Sequence, residues 1–265
     1  MPFTFAHPAA ALPLRRVLGR FGVLSALVIG SLAPDFAYFL PLNLPREESH
    51  SLLALVWFCL PAGLFAYVLF HILLKGPLLG LLPPAALCRL GDYTARFRSL
   101  PQVSWTAVVV SLLCGAITHL LWDAFTHENG PAVVAIPILH SYLFSIGTYR
   151  VHVYNILQHG STLAGLALLS VWSWRWLIQA PLRADPLPVE LSSGLKVAVV
   201  VAIAVVPGVV GCWTGMQALG ERTGMSALQI FAKKAIFTGM PVFGLAILVY
   251  GIGWHLWRLR TAPAG

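Results

Sequence analysis

Between Thr118 and His127 the chain reads T-H-L-L-W-D-A-F-T-H. On a helix, His119, Asp123 and His127 stand four residues apart and project from nearly one face. Two imidazoles and a carboxylate on one face are nitrogen and oxygen ligands of the kind a divalent transition metal takes. The motif closes an apolar run from Thr106 to Leu121. Ionisable groups at the end of a membrane span are costly to keep there, so they are a functional-site hypothesis by default. The plainer reading is that they cap the span in the interfacial zone and hydrogen-bond to water.

The elements that must position these residues are membrane helices. The 265 residues are 58% hydrophobic and only 10% charged, with a mean hydropathy of +0.81. Soluble domains carry about 25% charged residues, so the composition points to an integral membrane protein. The net charge of +8 does not imply nucleic acid, because the basic residues are spread between apolar spans. Cys59, Cys88, Cys114 and Cys212 are scattered without a C-x-x-C, which suggests neither a disulfide framework nor a thiolate metal site. No cleavable signal peptide is expected from the start M-P-F-T-F-A-H-P.

Apolar periodicity predicts an all-α fold, a polytopic transmembrane helix bundle of about five full spans plus an N-terminal helical hairpin. The spans are Ser51 to Leu74, with a kink at Pro61, then Thr106 to Phe125, Val153 to Ile178, Gly194 to Trp213 and Phe237 to Trp257. A weakly amphipathic segment with Arg222, Lys233 and Lys234 separates the last two. The hairpin would pair Pro8–Val17 with Gly22–Ala33; the alternative is one spanning helix from Val17 to Leu40. The choice decides whether His7 and Asp35 share a side. Residues 1–265 read as a single integral membrane domain, with a core over 1–175 carrying the His/Asp residues and two further spans over 176–265.

Alternation of the spans puts His50, His119, Asp123, His127, His140, His152 and His159 near one membrane surface, with Asp35 close by in sequence. With Arg15, Arg16 and Arg20 of the hairpin tip excluded, the opposite face holds nine Lys and Arg against five, which favours an extracytoplasmic histidine face; assigning those three to the histidine face would cancel the bias. His71 lies 21 residues from His50, roughly 30 Å along a helix, and belongs with His255 to the opposite surface. The candidates retained are His7, His50, His119 and His127 with Asp35 and Asp123. Glu128 is a candidate ligand or general base, or a solvated carboxylate at the helix end. Gly208, Gly211 and Gly215 share a helix face and would permit close approach, within the chain or in a homo-oligomer.

M-P-F-T-F-A-H-P-A-A-A-L-P-L, G-S-L-A-P-D-F-A-Y-F-L, H-S-L-L, T-H-L-L-W-D-A-F-T-H and L-Q-H-G-S-T-L-A-G together resemble a bacterial membrane family, domain of unknown function 4184. The resemblance covers residues 1 to about 175 closely and the remainder more loosely, and implies a multi-pass protein of the bacterial inner (cytoplasmic) membrane. More distantly, the layout is similar to YdjM-like membrane-bound metal-dependent hydrolases and to the zinc-dependent phospholipase C and nuclease superfamily. That similarity implies a divalent metal, zinc, as one or two ions. Asp35, His50, His119 and Asp123 would hold one ion, Asp123 would bridge to a second ion bound by His7, and His127 would belong to a further position.

Three function classes follow. The first is a membrane-embedded metal-dependent hydrolase of phosphoester or lipid-linked substrates, with Asp35 or Glu128 as base and membrane lipid as its partner. The second is a metal-ion binding or transport protein. Spans 51–74 and 194–213 carry almost no polar residue before their ends, which argues against transport. The third is a structural or regulatory membrane protein whose motif stabilises helix packing.

Overall fold

The computed structural model describes residues 3–39, 44–95, 103–147, 149–181 and 191–261. Arg96, Arg98 and Arg183, which weigh in the charge bias, lie outside the described residues, as do Asn43 and most of the Pro-rich linker. The chain divides into two compact units. The first comprises Met1–Tyr67, Val103–Ser173 and Thr223–Ala227; the second comprises Val68–Gln102, Trp174–Arg222 and Leu228–Gly265.

The first unit begins with short helical pieces: a 3-10 turn over Thr4–Ala6, α1 (Pro8–Ala11), α2 (Leu14–Val17) and α3 (Leu24–Leu32). The chain reverses between α2 and α3, where Gly19 takes a positive φ of 53° and Val23 is extended. Helix α1 packs on α3. This is the helical hairpin; the alternative single helix from Val17 to Leu40 does not form. At nine residues, α3 is only about 14 Å long, half the thickness of a bilayer core. It gives way to a 3-10 turn over Ala33–Tyr38, because Pro34 has no N–H to continue the α-helical ladder. Asp35 is held in that turn.

Helix α4 (Arg46–Ser49) precedes a π-helical stretch, Leu55–Cys59, that leads into α5 (Leu60–Leu69). The irregularity expected at Pro61 therefore takes the form of a wide turn just before the proline. Helices α6 (Lys75–Gly80) and α7 (Pro84–Ala95) follow, then α8 (Trp105–Thr126) and α9 (Pro131–Ala135). A two-stranded antiparallel hairpin of β1 (Tyr142–Ile146) and β2 (Tyr149–His152) turns at Gly147, φ 61°; nothing in the helical periodicity foretold it. The chain ends with α10 (Val153–Gln179), α11 (Ser193–Gln217) and α12 (Gly224–Thr261).

Four helical segments among the described residues are long and apolar enough to cross a membrane: Leu55–Gly80, Trp105–Ala135, Ser193–Gln217 and Gly224–Arg260. The count is one below the expected five. Helix α10 has the length, 27 residues, but its first turns carry Asn155, Gln158 and His159. The amphipathic segment expected before the last span is instead the start of α12, a continuous 38-residue helix through Lys233 and Lys234.

The tightest packing in the first unit is α3 against α8. It rests on two glycines. A Cβ on Gly30 would collide with the Leu112 carbonyl, and one on Gly115 with the backbone of Leu27 and Ser31. Removing both side chains lets the two backbones touch. Ser111, one turn before Gly115, pins the reversal: its hydroxyl accepts from the Val23 N–H at 2.9 Å and donates to the Phe21 carbonyl at 2.6 Å. A core of Ala33, Ala37, Ala54, Phe58, Cys59 and Ala116 fills the space beside the crossing.

Within the second unit, α11 meets α12 where Gly211 faces Ala235 and Gly215 faces Phe231. Two of the three striped glycines thus serve packing inside the chain, while Gly208 faces open space.

Candidate metal centre

The close crossing of α3 and α8 sets the site. Gly115 brings the end of α3 against α8, and one turn later His119 meets the Ser31 carbonyl. His119 Nδ1 donates to it at 2.8 Å, which fixes the tautomer and leaves Nε2 bare. His50 is oriented in the same way: its Nδ1 lies 3.1 Å from the Arg46 carbonyl and 2.9 Å from Ser49 Oγ. Both bare Nε2 atoms point at two carboxylates, Asp35 from the 3-10 turn and Asp123 from α8.

Four ligand atoms then converge. His50 Nε2 stands 3.2 Å from Asp35 Oδ1 and 3.4 Å from Asp123 Oδ2. His119 Nε2 stands 3.8 Å and 3.4 Å from the same two oxygens. Ligands at ~2.0–2.1 Å from a tetrahedral ion are separated from one another by about 3.3 Å. Three of the four separations lie close to that edge, and the fourth is longer. Asp35 Oδ1, His50 Nε2 and His119 Nε2 are all buried without a well-aligned hydrogen-bond partner.

The other oxygen of Asp123 faces a second group. His127 Nδ1 is 3.3 Å and His7 Nε2 3.7 Å from Asp123 Oδ1. The His7 ring stacks on His119 with centroids 3.7 Å apart and planes 14° from parallel. His7, His119 and Asp123 form one buried ligand group; Asp35, His50 and His119 form another. Asp123 therefore splits its carboxylate between two sets of histidines.

Seven buried polar atoms without a hydrogen-bond partner sit on His7, Asp35, His50, His119, Asp123 and His127. Each such atom costs ~1–3 kcal/mol if it stays unsatisfied. A fold that gathers them around shared carboxylates fits a cation in the middle. The side chains present suit a divalent ion bound by neutral imidazole and carboxylate.

Electrostatics favour the required protonation states where the groups lie outside the spans. Burial, and after it the neighbouring His119, holds the His7 pKa down to about 3, so the ring is neutral at physiological pH. Burial alone would raise the Asp35 pKa. His119 and His50, with the hydrogen bond that Thr4 Oγ1 donates to Oδ2 at 2.6 Å, outweigh it and keep Asp35 ionised.

All six candidate ligands, His7, Asp35, His50, His119, Asp123 and His127, come together. Glu128 does not: it is exposed just past the helix end and belongs to neither buried group. His140 and His159 are exposed, and His140 pairs instead with His152, 5.2 Å between ring centroids. The H-G-S-T segment of α10 acts as a brace. Ser161 Oγ accepts from Trp122 Nε1 at 2.9 Å, Thr162 Oγ1 accepts from the Phe3 N–H at 3.3 Å, and Gly165 seats Trp122 and Ala6. Together they hold the strand of chain that carries His7.

Thr4 and Arg46 are part of the site and were not singled out by spacing. Arg46 Nη2 donates to Asp123 Oδ2. The signal for it was present in R-E-E-S-H, where Arg46 precedes His50 by four residues, as His119 precedes Asp123.

A family model described as a domain of unknown function, DUF4184, matches residues 1–252. The match runs through α11 and most of α12, farther than the close part of the resemblance. No curated protein and no solved structure matches the chain.

Proposed function

The chain belongs to the DUF4184 family, whose description leaves the chemistry to be read from the side chains, and from them we propose a membrane-embedded metal-dependent hydrolase acting on phosphoester or lipid-linked substrates. The observation that carries this reading is the convergence of Asp35 Oδ1, His50 Nε2, His119 Nε2 and Asp123 Oδ2 at separations of 3.2–3.8 Å. Those four residues would hold one divalent ion, zinc, and His7, Asp123 and His127 would hold a second. Bound there, divalent ions supply Lewis-acid polarisation of a phosphoryl group and acidify water at the site.

The chain's own residues do the rest. The Ser31 and Arg46 carbonyls fix the His119 and His50 rings, and Thr4 fixes Asp35. Asp35, ionised and buried, serves as ligand before base. Glu128 is exposed and takes up the base role only by turning inward. Burial of His7 and His119, at 1% and 0% side-chain exposure, keeps bulk water from the deep end. The Lys and Arg bias, counted without the hairpin arginines, supports a reading in which this end faces outward from a bacterial cytoplasmic membrane, within reach of lipid headgroups.

One observation favours a non-catalytic reading. The Arg46–Asp123 ion pair satisfies part of the cluster without any metal, as a purely structural motif would. Metal content decides. Detergent-purified protein should carry zinc stoichiometrically by mass spectrometry and lose it in Asp123→Ala and His119→Ala without unfolding. A metal-bearing protein then goes to a screen of phosphomonoesters, phosphodiesters and phospholipids. No bound zinc after reconstitution with excess metal sinks the hydrolase and leaves the structural motif.

A further inference from the structure

Arg46 occupies a contested position. Its Nη2 donates to Asp123 Oδ2, the same oxygen that stands 3.4 Å from both His50 Nε2 and His119 Nε2. A cation seated among those nitrogens draws on the same lone pairs as the guanidinium. The two compete for one oxygen. Arg46 also keeps a buried Nε without a hydrogen-bond partner, so its fork of donors is not used up by Asp123.

The guanidinium lies at the open edge. Its side chain is 28% exposed and His127 12%, against 7% or less for Asp123, His50, Asp35, His7 and His119. Arg46 and His127 are thus the members of the cluster nearest its exposed edge. Charge points the same way. With the imidazoles neutral as ligands, one divalent ion cancels the two carboxylates, and the guanidinium leaves the loaded cage with one net positive charge. A loaded cage with a released guanidinium at its mouth attracts an anion, and the planar fork matches the paired oxygens of a phosphoryl group.

We propose that Arg46 is an exchange arm: it neutralises Asp123 before metal arrives, is displaced from Oδ2 when the cage loads, and then binds a tetrahedral phosphoryl oxyanion at the cage mouth. This rests on the metal-centre reading above and assigns its site a ligand class and a binding residue. The anion is a free phosphate or the headgroup of a phosphomonoester lipid.

The test uses full-length protein in detergent, loaded with zinc and freed of excess, titrated calorimetrically with inorganic phosphate. Wild type is compared with Arg46→Ala and Arg46→Lys, and zinc affinity is measured separately by chelator competition. Loss of a charge-assisted fork should weaken phosphate binding in Arg46→Ala by about tenfold or more, with Arg46→Lys in between. Zinc affinity should stay equal or rise, because the competitor for Oδ2 is gone. A second titration with phosphatidic acid in mixed micelles, against phosphatidylcholine, separates the sources. A tighter Arg46-dependent response to phosphatidic acid assigns the anion to a lipid headgroup, and an equal response assigns it to free phosphate. Phosphate binding that is absent in wild type, or unchanged in Arg46→Ala, overturns the arm. So does loss of zinc from folded Arg46→Ala, which makes Arg46 a structural member of the cage. Absence of zinc from wild type fails the metal centre itself, and the arm with it.

Discussion

The protein buries ionisable side chains in both of its units, and the two sets are built differently. In the first unit four histidines surround two aspartates. In the second, Lys75 Nζ lies 3.2 Å from His71 Nδ1, and His255 Nε2 donates to the Leu73 carbonyl at 3.1 Å. Lys196 likewise spends its ammonium on the Leu82 carbonyl. The second set ties helix segments to backbone carbonyls and sets a lysine ammonium beside His71. The first set turns one nitrogen of each of two rings to the backbone and leaves the other bare, facing negative charge. Burial of histidine is common to both; convergence of bare lone pairs on a carboxylate is what separates a ligand cage from a packing contact.

That contrast can be broken from its centre outward. Asp123→Ala should abolish metal binding, at least a hundredfold in Kd, because its two oxygens face both sets of histidines. Lys75→Met should leave metal content untouched. Equal metal in the two variants would erase the distinction. Gly115→Leu should cost about 3 kcal/mol or more in stability by forcing α3 from α8, and should release metal by separating Ser31 from His119, read by thermal unfolding and mass spectrometry together. Thr4→Val removes only the hydrogen bond on Asp35 and should weaken metal affinity about tenfold with the fold intact.

A pH series sharpens the same point. His7 titrates near 3 in the folded, metal-free protein against an ordinary 6.5. Between those values the unfolded chain takes up a proton that the folded chain refuses. Stability is therefore full above 6.5 and declines as pH falls from 6.5 toward 3. Thermal midpoints of the apo protein in detergent should fall across that window, and His7→Phe should flatten the decline. The smallest effect expected is about 1 kcal/mol for Ser161→Ala, which frees the Trp122 indole behind His7.

The grouping of His119, Asp123 and His127 could be read from spacing because a helix puts i and i+4 on one face, and that pattern survives folding. His7 and Asp35 depended on one further choice, the hairpin over the single span, and the reversal at Gly19–Val23 makes it. Arg46 was hidden by its own charge: next to a membrane span a lone arginine reads as a topological signal, and only the contact with Asp123 gives it another meaning. The β1–β2 hairpin was hidden because Tyr142, Leu143, Phe144 and Ile146 are all exposed, without the alternation that marks a half-buried strand. Helix α12 was split in the sequence reading because two adjacent lysines suggest an end, yet a long helix tolerates them on its exposed face.

The cage draws its side chains from residues 7, 35, 50, 119, 123 and 127, and α8 is the last of the contributing segments to be synthesised. Until α8 has entered the membrane, His7 and Asp35 have neither Ser111 to lock their turn nor His119 to stack against. On the metal-centre reading, ion capture would follow synthesis of more than a hundred residues and close on the completed α3–α8 pair. An ion held there would act as a late rivet, and metal starvation would leave newly made chains inserted but open to proteolysis at the N-terminal reversal.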